Sequence, residues 1–116
     1  MSGGYLESDL SEAVADAHRA LASLQEELEA VDYYNQRADR TRDAAAQAVL
    51  LHNRNEEIEH AAMLLEWLRR NVPEFDQDLG TYLFKDAPIT EIEEAATGGA
   101  GGKGAGDGSL GLGKLA

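Results

Sequence analysis

The chain has 116 residues, of which ten are basic and 22 acidic, for a formal charge of −12. That length predicts one small domain, and that charge argues against a nucleic-acid partner, which needs a basic face. The absence of cysteine excludes disulfide frameworks and thiolate metal sites, and no apolar run approaches the ~18 residues of a membrane span.

The acidic excess suits attraction of cations. Met1-Ser2-Gly3-Gly4-Tyr5 lacks the basic-then-apolar order of a secretory signal, which predicts an intracellular protein. Residues 1–8 read as a flexible N-terminus. Ser8 or Asp9 is placed to cap a first helix, and acidic Asp9 and Glu12 suit its N-terminus. Leu10, Val14, Ala17, Leu21, Leu24, Leu28 and Val31 then alternate by four and three, the period of a helix seam. Pro73 is the one Pro or Gly between Gly4 and Gly80. One long helix over 9–38 follows.

Asp39-Arg40-Thr41-Arg42-Asp43 breaks the apolar pattern, with Thr41 or Asp43 able to cap what comes next. So short a connection predicts an antiparallel neighbour. The second helix reads as 44–70 and ends before Pro73, which disfavours helical geometry at Val72. A shorter helix over 74–84 carries Phe75, Leu79, Tyr82 and Leu83, weakened by Gly80. Thr90 and Glu93 form a capping-box pattern for a brief helix to about Ala96. The helical domain is thus 9–96. Nine of the twelve glycines lie in 98–113, so 97–108 reads as a linker. Residues 109–116 carry Leu110, Leu112 and Leu115 on a glycine background, the pattern of a short docking peptide.

The second helix contains the chemistry. Its seam runs Ala46, Leu50, Asn53, Glu57, His60, Leu64, Trp67, so a carboxylate and an imidazole occupy positions that should be apolar. Residues three apart share a helix face, and Glu57-x-x-His60 can reach one metal ion. Burying a carboxylate costs several kcal/mol unless it is paired or bound to a cation. Glu27 lies about as far before the connection as Glu57 lies after it, so an antiparallel hairpin sets Glu27 opposite the pair. Di-iron carboxylate bundles use a Glu from each of two helices and a Glu-x-x-His from each of two others. One chain has half of that set; two chains about a twofold axis would supply it all. Carboxylate and imidazole donors without sulfur suit iron, manganese or zinc. Tyr34, two turns beyond Glu27, either bonds a ligand or packs at the rim. Glu26, Glu29 and Tyr33 lie on the opposite face, either a solvated stripe or an approach route for cations that Tyr33 gates by bulk. His18 and His52 read as surface histidines.

These residues resemble the encapsulated ferritins. The likeness runs through Glu26-Glu27-Leu28-Glu29-Ala30-Val31-Asp32, Tyr33-Tyr34, His52-Asn53, Glu56-Glu57-x-Glu59-His60, Glu66-Trp67-Leu68-Arg69-Arg70, Thr81-Tyr82-Leu83-Phe84, Pro88-Ile89 and the leucine-glycine tail. The resemblance implies an all-α fold: a two-helix hairpin with short C-terminal helices, dimerising into a ferritin-like four-helix bundle, with five dimers in a ring. It implies a ferroxidase that oxidises Fe(II) with oxygen at a di-iron site. Glu27, Glu57 and His60 would be the ligands, Tyr34 would lie beside them, and Glu26 and Glu29 would form an outer metal site. It implies cargo in the lumen of a cytoplasmic encapsulin nanocompartment, with Leu110, Leu112 and Leu115 addressing the shell. One departure stands out: Tyr33 occupies a place where the family often has Trp. The competing readings are an acidic protein that binds metal without turnover and a structural cargo protein.

Overall fold

The computed structural model describes residues 6–98, which form four α-helices. The N-terminal residues 1–5 and the tail from residue 99, with the predicted docking peptide and all of the predicted linker but residues 97 and 98, which are helical, lie outside the described residues. The chain divides into two units between Phe75 and Asp76.

The first unit is a helical hairpin. Helix α1 spans Glu12–Arg40 and α2 spans Ala44–Asn71. The 29 residues of α1 give it a length of about 43 Å at 1.5 Å per residue. The helix begins later than the sequence predicts. Ser11, not Ser8 or Asp9, is the N-cap, and its hydroxyl accepts from the Val14 amide at 3.2 Å. Asp9 has a φ of 60°, a left-handed conformation that keeps it out of a right-handed helix. Of the two caps expected for α2, Asp43 takes the position: its carboxylate accepts from the Ala46 amide at 2.8 Å. Thr41 instead accepts from the Asp43 amide at 3.2 Å and tightens the connection.

Two hydrogen bonds between α1 and α2 fix the register. Gln47 Nε2 donates to the Ala38 carbonyl at 2.9 Å, one of the carbonyls that a helix end leaves without an intrahelical partner. Arg54 donates to Asn35 Oδ1 at 2.9 Å. The buried apolar side chains among the described residues are few and mostly small: Ala20, Ala38, Ala61 and Leu68. Ala17, Leu24, Glu27, Val31 and Tyr34 are half-buried on the same side of α1 as Ala20 and Ala38. Val14, Leu21 and Leu28 fall on the flank instead, and Leu28 is 54% exposed. The predicted seam of α2 holds from Ala46 to Leu64 and then rotates off. A straight helix drifts about 20° per heptad against a seven-residue repeat. After three heptads Trp67 has turned outward and Leu68, at 0% exposure, has taken its place.

Helix α3, Pro73–Tyr82, starts at Pro73 itself, whose missing amide suits the first turn. It ends two residues earlier than expected. Lys85 Nζ donates to the Gly80 carbonyl at 2.9 Å, and Phe84 sits at φ 61°, which the helix cannot continue through. Helix α4 covers Ile89–Gly98. Its predicted capping box does not form. The helix starts before Thr90, and the Pro88 carbonyl accepts from Glu91 and Ile92, so Thr90 already lies in the first turn, where a capping hydroxyl has no role.

Candidate metal centre

Glu27 reaches the site from α1; Glu57 and His60 come from successive positions on one face of α2. A ligand atom from each lies within 4.8 Å of the others. His60 Nδ1 is 3.3 Å from Glu57 Oε1 and 3.5 Å from Glu27 Oε1. Thus Nδ1 is the ring nitrogen turned toward both carboxylates. All three side chains are half-buried.

The electrostatics are those of a crowded acidic pocket. The hydrogen bond with Glu57, followed by burial and the Glu57 charge, pushes the Glu27 carboxyl above its ordinary range. The same contact with Glu27 holds the Glu57 carboxyl below it, assisted by His60. The two carboxyls are thus pushed in opposite directions, Glu27 up and Glu57 down. Burial pulls the His60 imidazole down, but the hydrogen bond to Glu57 and the charges of both glutamates outweigh it, and the net shift is upward. Even so, Glu27 Oε1 is buried and lacks a hydrogen-bond partner among the described residues. A buried carboxylate oxygen without a donor is costly, and a cation between Glu27, Glu57 and His60 would satisfy it. Two carboxylates and an imidazole form a hard-to-borderline donor set that fits iron, manganese or zinc. Three donors leave coordination positions for further ligands.

The other predicted residues have surroundings of their own. Tyr34 is half-buried, and the Arg37 guanidinium carbon lies 5.7 Å from its ring centre and 5.6 Å from that of Tyr33. Glu26 and Glu29 are exposed. The Tyr33 hydroxyl donates to Glu29 Oε2 at 2.9 Å, and this bond, with the Glu29 charge, raises the Tyr33 hydroxyl above its ordinary range. This is the hydroxyl that Trp would lack. His18 is half-buried and His52 exposed. The sequence reading passed over Glu56. Its Oε1 is 3.9 Å from His60 Nε2, the nitrogen that Glu57 and Glu27 leave free, and its Oε2 is 3.9 Å from His52 Nε2. The signal was present as His52, Glu56 and His60, each four residues apart on one helix.

An all-helical hairpin that opposes a Glu to a Glu-x-x-His has a ferritin-like helical fold. The chain belongs to the EncFtn-like family, whose model matches residues 5–86. It is 56% identical over 108 residues to a ferritin-like protein of Thermotoga maritima, covering 93% of this chain and 92% of that one. It is 54% identical over 114 residues to an encapsulated ferritin-like protein of Rhodospirillum rubrum, covering 91% of this chain and 81% of that one. The crystal structure of a Nitrosomonas europaea protein superposes with a TM-score of 0.72 at 54% identity, covering 76% of this chain and 98% of that chain.

Proposed function

We propose that the protein is a ferroxidase that oxidises Fe(II) to Fe(III), with oxygen as acceptor, at a di-iron site formed across a homodimer interface. The observation that carries this reading is the meeting of Glu27, Glu57 and His60 around a buried, unpartnered carboxylate oxygen. One chain supplies one Glu and one Glu-x-x-His, half of a di-iron carboxylate set. A second copy supplies the rest. The hairpin's exposed apolar side chains, Val14, Leu21 and Leu28 on α1 and Val49, Met63 and Trp67 on α2, support association, because such area gains free energy when covered.

Iron is here substrate and cargo. Each Fe(II) gives up one electron to the acceptor. Glu27 and Glu57 supply the negative charge that favours the higher oxidation state, and His60 Nδ1 completes the donor set. Tyr34 lines the same side of α1. Glu26 and Glu29 serve as an outer site where cations arrive, and Tyr33 controls access to Glu29. Dimers assemble into a ring of five, which delivers iron for mineral storage inside an encapsulin nanocompartment. The tail carrying Leu110, Leu112 and Leu115 addresses the chain to the shell. The Rhodospirillum rubrum relative, by its name an encapsulated ferritin-like protein, supports that location.

The test is oxygen consumption after anaerobic loading with Fe(II). The parent should consume oxygen as iron is oxidised. Glu57→Ala and His60→Ala should each lose most of that activity, since a twofold site loses two ligands per substitution. Iron bound by the parent with no oxygen uptake above the buffer rate would replace the ferroxidase with a protein that only sequesters metal.

A further inference from the structure

His60 has two ring nitrogens, and the structure gives them different surroundings. Nδ1 faces Glu57 Oε1 at 3.3 Å and Glu27 Oε1 at 3.5 Å. Nε2 faces Glu56 Oε1 at 3.9 Å. A nitrogen can bind a metal only through its lone pair, so a neutral His60 that serves the Glu27–Glu57 site must carry its proton on Nε2. A carboxylate at the second nitrogen is the usual means of fixing that tautomer and of raising the basicity of the binding nitrogen.

Glu56 meets the requirement. One turn before His60, the helix presents two adjacent carboxylates, Glu57 toward Nδ1 and Glu56 toward Nε2. The 3.9 Å separation is longer than a hydrogen bond. The Glu56 side chain is 50% exposed, so it has room to rotate onto the ring. Its other oxygen, 3.9 Å from His52 Nε2, gives the carboxylate a second imidazole neighbour one turn earlier.

We infer that Glu56 is the positioning residue for His60: its carboxylate holds the imidazole proton on Nε2 and so keeps Nδ1 open to a metal ion between Glu27 and Glu57. The inference rests on the reading of Glu27, Glu57 and His60 as metal ligands. Glu56 itself need not touch the metal. Its effect passes through the ring of His60.

Zn(II) alone is a suitable probe on the full-length chain, because it takes the same donor types and has no redox chemistry. Its affinity would be measured by competition with a chelating dye for the parent, Glu56→Ala, Glu56→Gln and Glu57→Ala. Nitrogen-15 NMR of the His60 ring would report the tautomer. Glu56→Ala should weaken Zn(II) binding by about 10–100-fold. Glu56→Gln keeps an oxygen that accepts from Nε2–H and should recover most of the loss. In the Zn(II)-loaded parent, His60 should show a protonated Nε2 and a bound Nδ1. Parental affinity in Glu56→Ala, with affinity lost in Glu57→Ala, would overturn the role of Glu56 and leave the metal site standing. Parental affinity in both would remove the metal site and the inference together. Zn(II) bound through Nε2, or Glu56→Gln as weak as Glu56→Ala, would also overturn it.

Discussion

Glu66 shows how a residue outside the site tunes this chain. It accepts from Arg69 Nε at 2.7 Å and from Arg70 Nε at 2.6 Å. Arg69 above all, then Arg70, holds its carboxyl at about 2 against an ordinary 4.5. The folded state therefore gives up this proton more readily than the unfolded chain does. The resulting stability is complete above 4.5 and is lost as pH falls from 4.5 toward 2. The side chain is 42% exposed, so solvent and salt screen the gain. Glu66→Gln should flatten the acid limb of the stability curve in that window, matching the parent at the acid end and falling short of it at neutral pH. Chemical denaturation followed by circular dichroism across pH 2–6 would show it, and an unchanged acid limb would count against the pairing. At the metal centre the balance differs. Glu57 raises the cost of charge on Glu27, and a cation beside the two carboxylates would relieve it.

At the scale of elements, the short connection between α1 and α2 sets the height of every facing residue. Asp43 caps α2 through the Ala46 amide, while Gln47 and Arg54 tie α2 back to Ala38 and Asn35. Asp43→Ala should destabilise the hairpin by about 1 kcal/mol, the usual cost of losing such a cap. Thermal or denaturant unfolding of the metal-free chain measures it, and parental stability would mean that the cap is compensated. The register bonds of Gln47 and Arg54 survive in this variant, so Glu27 should still meet Glu57 and His60. Metal affinity should therefore move less than stability.

At the scale of the whole molecule, the hairpin's core is thin for its length. Among the described residues four apolar side chains are buried, three alanines and Leu68, and the other larger side chains of α1 and α2 stay partly in water. Under the proposed function a second copy covers them and completes the ligand set. Metal that binds the dimer preferentially then draws monomers into dimers by mass action. Solution mass measured with and without Fe(II), kept anaerobic, should rise with the metal. A monomer holding iron tightly with no increase in mass would sink the shared site. The tail makes a separable prediction. Each leucine of Leu110, Leu112 and Leu115 can contribute roughly 1.5–3 kcal/mol if fully buried against a partner, less the cost of ordering the peptide. Deleting residues 109–116 should leave helicity and iron oxidation intact and abolish loading when the protein is co-expressed with an encapsulin shell. Equal loading of both forms would show that the address lies elsewhere.

Much of this was legible in the sequence. Periodicity alone located two long helices, because apolar residues at four-and-three spacing have one helical solution. Counting outward from the Thr41–Asp43 connection put Glu27 level with Glu57 and His60, because rise per residue is nearly constant in a helix. Polar residues inside an apolar seam marked the site, since their burial demands a reason. The rest needed three dimensions. Caps depend on local φ and ψ, so Ser11 displaced Ser8 and Asp9, and the Thr90–Glu93 pattern lost to a helix that begins before it. The drift of a straight helix against a seven-residue repeat exchanged Trp67 for Leu68. Sequence spacing also makes no distinction between the two nitrogens of an imidazole. The fold decided that Nδ1 of His60 turns toward Glu27 and Glu57 while Nε2 turns toward Glu56, because the orientation of a ring is set by what packs around it.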